Sequence, residues 1–267
     1  MPIISSLPIR RISQEEFAAI DYRVMRLAFD SHNALGRLYD EEIYQNDLAA
    51  RIQAAGLGPV HTETPLTVTH RDFSKTYRLD IVIQETAIYE LKTGASLLGE
   101  HDAQLLNYLL LAGVQHGKLV NFRQSKTESR FVNTTLTAED RHAVEWDTTR
   151  WSPLGSECER LRAHLIELLE DWGTCLELPL YNEALIHLLG GEAKVLQMMP
   201  MTRDGLTLGN QRVCLLAPDT AFRLTAMAEG TESYQRHLVA FLHYSPLRAI
   251  HWINLARCQV QLVTLKR

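Results

Sequence analysis

The chain has 267 residues, of which 46% are hydrophobic and 22% are charged, a composition that excludes a disordered or fibrous protein. Its formal charge of -5 lacks the basic excess of many nucleic-acid-binding proteins. A chain of this length suits one elaborated domain or two compact ones, and we expect two.

Cysteine spacing and apolar runs indicate the compartment. No CxxC pair of the kind that binds zinc or iron–sulfur clusters occurs among Cys158, Cys175, Cys214 and Cys258. The longest apolar stretch, LLNYLLLAGV, is too short to span a bilayer, and MPIISSLPIRRIS has no sustained apolar run. We expect buried thiols in a cytoplasmic protein that has no membrane partner.

Two helices are predicted first. Ser13, followed by two glutamates, is typical of a helix N-cap, and apolar residues keep helical spacing through Phe29. A second helical pattern covers residues 38–52 and carries Glu41 and Tyr44. Glycines at positions 56 and 58 are expected to end it.

Strands follow, in a meander and then singly. VHTETPLTVTH, TYRLDIVIQ and TAIYELKT read as three strands, with a tight connection between the last two. A helix is expected over residues 100–112, a strand over 117–122 and a further strand over 129–136. This order predicts a layered α/β domain over residues 1–150, with a polar link around residues 148–157 leading to a second domain over 151–267.

Three charged residues interrupt the apolar strands. Asp80 lies on one strand of the hairpin, and Glu90 and Lys92 lie on the next, two apart and therefore on one face. The two carboxylates could share a hard divalent cation, which would relieve their mutual repulsion. A hairpin with solvated carboxylates is the alternative.

Further polar residues occur on the helices. Gln104 and Tyr108 are four apart and stack on one helix face, where they could touch phosphate or be ordinary amphipathic packing. Glu41 could be another metal ligand, although acid near a helix start also suits the helix dipole.

Two resemblances arise from these residues. Asp80, nine intervening residues and then Glu90-Leu91-Lys92 resemble the PD-(D/E)xK nuclease superfamily, and QLLNY (104–108) resembles the QxxxY element of its RecB-like branch. HNALGRLYDEEIYQNDLAARIQAAGL (32–57) resembles the GxxExxY family signature, with Glu41 and Tyr44 at its acidic and tyrosine positions, although Leu38 stands where that signature has glycine.

The superfamily resemblance implies a restriction-endonuclease-like fold, a three-layer αβα core with a central mixed sheet. It implies an enzyme that hydrolyses the phosphodiester bonds of DNA, in preference to RNA, with metal-activated water. The implied ligands of Mg²⁺ or Mn²⁺ are Asp80, Glu90, the Leu91 carbonyl and Glu41.

The same resemblance implies roles for the remaining site residues. Lys92 would orient or help to deprotonate the attacking water and stabilise charge in the transition state. Gln104 and Tyr108 would position the scissile phosphate or the lysine.

The second half repeats the first at a slowly drifting offset. Gly36 matches Gly173 and Tyr44 matches Tyr181 at one offset, and Asn121 matches Asn254 at a slightly smaller one. In this alignment the residues that correspond to Glu41, Asp80, Glu90, Lys92 and Gln104 are, respectively, Leu178, Cys214, Leu224, Ala226 and His237. It therefore predicts a degenerate pseudo-nuclease copy without a metal site, which serves as an internal partner, a substrate-binding face or a surface for a protein partner or homo-oligomer.

A second class of function stays open, namely a non-catalytic nuclease-fold module for binding or assembly. Phosphate contacts need basic side chains. We expect those that could line a groove on the first domain to be Arg71, Lys75, Arg78, Lys118, Arg123, Lys126 and Arg130.

Overall fold

The computed structural model describes residues 3–267 and divides into two compact units. The first unit runs to Thr69 and then covers Ser74–Ala138, and the second takes His70–Phe73 and Glu139–Arg267. Each unit contains one six-stranded mixed sheet with helices, which confirms the expected α/β class.

The first unit contains the predicted helices and strands. Its sheet has the order β1-β2-β3-β4-β5-β6, in which β3–β4 and β5–β6 are antiparallel and β4–β5 is parallel. The elements are β1 (Ile3–Ser5), α1 (Gln14–Leu35), α2 (Glu41–Ala54), β2 (Val60–His70), β3 (Phe73–Ile83), β4 (Ala87–Lys92), α3 (Gly99–Ala112), β5 (His116–Asn121) and β6 (Glu128–Asn133).

The ends of α1 follow local chemistry. At its start the Ser13 hydroxyl accepts from the Glu16 backbone N–H, and the Glu16 carboxylate accepts from the Ser13 N–H, a complete capping box. The helix continues past the predicted end at Phe29 to Leu35, and Gly36 ends it with a φ of 75° that favours glycine.

Helices cover both faces of the first sheet. One face contributes Tyr89 and Leu91 of β4 to a core shared with α1 and α2. On the other face, a Cβ placed on Gly117 of β5 would lie 3.0–3.2 Å from Leu105 and Leu109 of α3, so α3 packs closely there. Gly117 pairs with Ile88, so Ile88, Glu90 and Lys92, which alternate along β4, lie on the α3 face.

The second unit has the sheet order β7-β12-β11-β10-β9-β8, with β10 and β11 parallel. Its elements are α4 (Ala138–His142), β7 (Glu145–Arg150), α5 (Ser156–Trp172), α6 (Leu178–Leu188), α7 (Glu192–Val195), β8 (Leu196–Arg203), β9 (Leu206–Ala217), β10 (Thr220–Thr225), α8 (Thr231–Tyr244), β11 (Ala249–Ala256) and β12 (Gln259–Lys266). The sequence did not predict β7, because its polar residues form a strand only by pairing with β12.

The same order of elements and several of the same local contacts occur within each of the two units. After its initial helices, each unit has three strands, a helix and two strands. The Tyr44 hydroxyl donates to the Gly36 carbonyl at 2.7 Å, and the Tyr181 hydroxyl donates to the Gly173 carbonyl at 2.7 Å. The Asn121 side chain also donates to a loop carbonyl at 2.9 Å, as the Asn254 side chain does.

Strand pairing corrects the residue matches between the two halves. Lys92 pairs with Asn121 on β5, and Thr225 pairs with Asn254 on β11, so Thr225 rather than Ala226 is the counterpart of Lys92. By the same register, Arg223 replaces Leu224 as the counterpart of Glu90. The register therefore places the counterparts of Glu90 and Lys92 one residue earlier than the sequence match did.

The β9–β10 hairpin gives the counterpart of Asp80. Ile81 faces Tyr89 in the first unit, and Cys214 faces Phe222 in the second. The residue before Cys214 is Val213, which therefore takes the place that the sequence comparison gave to Cys214.

Two other expectations have clear outcomes. Among residues 3–267, no helix is long and apolar enough to cross a bilayer. Of the four cysteines Cys158 is buried as predicted, and the other three are partly exposed, so the prediction of buried thiols was wrong for those three.

Candidate active site

Asp80 and Glu90 face each other where the β3–β4 hairpin reaches the end of its ladder. Ile81 lies opposite Tyr89, so the next pair outward sets Asp80 opposite Glu90. Both are buried, with relative exposures of 9% for Asp80 and 1% for Glu90. Two carboxylates therefore share one buried end of the sheet.

Two hydrogen bonds hold the carboxylates of Asp80 and Glu90, and one oxygen of Glu90 has no partner among the described residues. The Leu91 N–H donates to Asp80 Oδ2 at 2.7 Å, and Lys92 Nζ donates to Glu90 Oε1 at 2.8 Å. Among the described residues, the second oxygen of Glu90, Oε2, is buried without a hydrogen-bond partner. Buried polar atoms without a partner are uncommon in proteins, so this oxygen is available to accept from or coordinate another group.

The electrostatics of the pair favour its protonated forms. Burial raises the pKa of Asp80 to about 6, against the opposing effects of the Leu91 N–H and the Lys92 charge. Burial and then the charge of Asp80 raise the pKa of Glu90 to about 8. Burial would lower the pKa of Lys92, but the charge of Glu90 and its hydrogen bond to the amine outweigh it and raise that pKa.

Glu41, at the start of α2, lies beside this group. Its Oε1 is 3.9 Å from Lys92 Nζ, and burial raises its pKa. The sequence did not identify Glu63 on β2, although its negative charge raises the pKa of both Asp80 and Glu41. The only sequence signal near Glu63 is the alternating strand pattern, because no motif links Glu63 to Asp80 or Glu41.

Gln104 and Tyr108 interact with each other on α3. Gln104 Nε2 donates to the Tyr108 hydroxyl at 2.9 Å, and the Tyr108 ring packs edge-on against Tyr77 of β3, with centroids 5.7 Å apart. Since α3 covers the sheet face that carries Glu90 and Lys92, the pair lies on the same side of the sheet as the carboxylates.

The donor set fits a hard cation, although the protein does not present a complete cage. No group of three or more His, Cys, Asp or Glu side chains is arranged for a metal ion within residues 3–267. Asp80 and Glu90 nevertheless supply carboxylate oxygens, and Glu90 Oε2 is buried without a partner. Oxygen donors of this type suit Mg²⁺ or Mn²⁺, and a cation would compensate the two charges that burial disfavours.

Several predicted phosphate contacts are wrong or already engaged. Lys118 is buried, with its Nζ 2.6 Å from Asp21 Oδ2 and 3.7 Å from the centre of the Phe131 ring. The sequence suggested a surface lysine because Asp21 lies far away in the chain. Arg71 groups with the second unit, where it pairs with Glu167 at 2.7 Å.

Other basic side chains of the first unit remain near or at the surface. Arg123 donates to the Thr93 carbonyl at 2.8 Å and to the Arg37 carbonyl at 3.1 Å, so its guanidinium lies beside the residue that follows Lys92. It forms no ion pair with a carboxylate among the described residues. Lys126 is exposed, and Arg130 pairs with Asp102 at 2.6 Å.

One comparison with known proteins agrees with the fold of the first unit. No curated protein matches the chain. The solved structure described as "Crystal structure of SSO0001" is 21% identical over 45% of this chain, with a TM-score of 0.28, and the match spans 62% of that protein's length. Residues 18–132 match the family model of the PD-(D/E)XK nuclease superfamily, so this segment is similar to that superfamily. It contains Glu41, Asp80, Glu90, Lys92 and the QLLNY run. The mixed α/β sheets of the two units are consistent with the restriction-endonuclease-like fold of the superfamily.

Proposed function

We propose that the first unit is a metal-dependent nuclease that hydrolyses phosphodiester bonds, with DNA as its preferred substrate. The observation that carries the proposal is the buried Asp80–Glu90 pair, whose Glu90 Oε2 has no partner among the described residues while Lys92 lies on the same carboxylate. The match of residues 18–132 to a nuclease superfamily supports it.

In this proposal Asp80 and Glu90 hold Mg²⁺ or Mn²⁺, with the Leu91 carbonyl and Glu41 as further ligands. The bound cation would supply Lewis-acid charge and lower the pKa of a water molecule. Lys92, which a carboxylate keeps protonated, would donate to the phosphate or hold the attacking water and stabilise negative charge in the transition state.

Gln104 and Tyr108 act as positioning residues in this scheme. Their mutual hydrogen bond fixes both side chains on the helix that covers the site. Arg123 adds a positive charge beside the end of β4, where a phosphate of the substrate strand would meet it. The GxxExxY resemblance of residues 32–57 belongs to the same proposal, with Glu41 in a metal-binding role and Tyr44 in a structural one, since the Tyr44 hydroxyl holds Gly36.

We assign the second unit to an internal duplication that has lost this chemistry. Val213, Arg223 and Thr225 stand where Asp80, Glu90 and Lys92 stand in the first unit. The shared tyrosine–glycine and asparagine contacts support a common origin. The proposal predicts no metal binding by the second unit.

The test combines metal titration with cleavage. Calorimetry with Mn²⁺ and Mg²⁺ is run on wild type, Asp80→Asn, Glu90→Gln and Lys92→Met, together with cleavage of labelled single- and double-stranded DNA and of RNA. Glu42→Gln, an exposed α2 residue next to Glu41, is the matched control. We expect the Asp80 and Glu90 variants to lose metal binding and cutting, and Lys92→Met to keep metal binding and lose at least a hundredfold in rate.

A non-catalytic module is the second candidate, because Lys92 already occupies Glu90 Oε1 and no ready three-residue metal cluster exists in the described chain. Wild type that neither binds Mn²⁺ nor cleaves any substrate would establish it. Cleavage that survives in Glu90→Gln would refute the proposed site.

A further inference from the structure

The second unit contains a cavity of about 530 Å³ at the place that corresponds to the first unit's carboxylates. Its lining includes Val213 and Arg223, the counterparts of Asp80 and Glu90, and residues of α6 and α8. This volume lies in the range of small-molecule sites. At this position an apolar residue and a guanidinium stand where the first unit has two carboxylates.

One hydrogen bond positions the Arg223 side chain in the cavity. Its Nε donates to the Tyr234 hydroxyl at 3.1 Å, and it forms no ion pair with a carboxylate among the described residues. This hydrogen bond positions the side chain through Nε, and the two terminal nitrogens can donate to a ligand. A guanidinium presented in this way matches the paired oxygens of a phosphate group.

The aromatic wall is fixed as well. Tyr234 packs against Trp252, with ring centroids 5.5 Å apart. Side-chain contacts therefore connect Trp252 to Tyr234 and Tyr234 to Arg223. Phe241 and Ile250 also line the cavity and give it apolar surface. A planar aromatic group would find a tyrosine ring and apolar side chains there.

The charges of the cavity set how much negative charge it accepts. Burial raises the pKa of the Cys214 thiol, and the positive charges of Arg223 and Arg212 oppose that rise, so both arginines act at this point. Arg212 is 3.6 Å from the exposed carboxylate of Glu192, and Glu183 also lines the cavity. The lining therefore carries two arginines and two glutamates, and Arg223 is the arginine that forms no ion pair among the described residues, which suits a ligand with a single phosphate group.

We propose that this cavity binds a nucleoside monophosphate, either free or as the phosphorylated end of a strand. The phosphate would lie on Arg223 and the base against Tyr234 and the apolar wall. The proposal goes beyond the nuclease function and does not depend on it, because it uses only residues of the second unit.

The test is calorimetry with the four deoxynucleoside 5′-monophosphates, the matching nucleosides and inorganic phosphate, on the full chain in EDTA. The protein carries Glu90→Gln to remove the first site. Arg223→Met is compared with Arg203→Met, an exposed arginine of β8 outside the cavity, and thermal melting confirms that both variants fold. We expect at least one monophosphate to bind with one-to-one stoichiometry, at least tenfold more weakly to Arg223→Met and equally well to Arg203→Met.

Nucleosides without phosphate are expected to bind at least tenfold more weakly than the monophosphate. A 5′-phosphorylated trinucleotide that binds as tightly as the monophosphate identifies a strand end as the ligand, and weaker binding identifies the free nucleotide. No binding of any monophosphate, binding of inorganic phosphate alone, or equal binding to Arg223→Met would overturn the proposal. A chain that binds nucleotide through Arg223 but cuts no DNA would refute only the nuclease function.

Discussion

Glu90→Gln should remove a loss of stability that the wild type suffers as the pH rises, because Glu90 is buried beside Asp80. The pKa of Glu90 is raised from 4.5 to about 8, so the folded protein binds this proton more tightly than the unfolded chain does. The favourable contribution is complete below pH 4.5 and is lost as the pH rises towards 8. At pH 7 the wild type should have lost on the order of 3 kcal/mol from this group relative to acid.

Glutamine keeps the shape of the protonated acid and an oxygen that can accept from Lys92. It carries no charge, so it removes this pH-dependent loss without removing the hydrogen bond. In EDTA the variant and wild type should therefore be about equally stable near pH 4.5, and the variant should be more stable at pH 7 and above. Titrating groups away from this site behave alike in both proteins and cancel in the difference, whereas Asp80 and Lys92 interact with the Glu90 charge and remain part of it.

The assay must report on the first unit alone. All four tryptophans lie in the second unit, so their fluorescence does not follow this transition. Hydrogen exchange of β4 peptides by mass spectrometry, in urea at pH 5 and 8, measures the relevant free energy of unfolding. Glu42→Gln should show no pH-dependent difference. A Glu90→Gln variant that is no more stable than wild type at pH 8, or that gains its advantage in acid, would refute the reasoning.

Three further predictions concern buried polar groups. Asp21→Asn should destabilise the first unit by about 3 kcal/mol because it leaves the buried Lys118 ammonium without its 2.6 Å partner, and urea unfolding followed by β4 exchange measures this loss. Tyr181→Phe should lower second-unit stability by about 1 kcal/mol, since the Gly173 carbonyl loses its donor, with tryptophan fluorescence as the readout. Burial lowers the pKa of His251 to about 4, so the unfolded chain takes up its proton first and stability falls as the pH drops from 6.5 towards 4. His251→Gln should lack that loss, and an NMR titration in which the His251 ring protonates near pH 6.5 would contradict it.

The sequence predicted most of the first unit because its signals are local. Ser13 and Glu16 form the expected capping box, and the alternation around Asp80 and Glu90 gives the observed hairpin. Strand β7 failed because its polar residues depend on a distant partner strand. Lys118 failed for the same reason, since its carboxylate partner is on α1.

The internal comparison shows both the reach and the limit of sequence reasoning. Gly173 and Tyr181 were matched to Gly36 and Tyr44 by identity, and the structure shows the same hydrogen bond in each unit. The sequence comparison placed the second-unit counterparts of Glu90 and Lys92 one residue too far along the chain. Only the pairing of each strand with its partner strand gives the correct register.

The bond from the Leu91 amide to Asp80 makes a backbone resonance report on a side-chain charge. The amide donates at 2.7 Å to the carboxylate that we assign to the metal. Protonation of Asp80, or a cation drawing on the same oxygens, would weaken that acceptor and move the Leu91 signal in a ¹⁵N-correlated spectrum. A single backbone amide can thus follow the ionisation of the candidate site without any substrate.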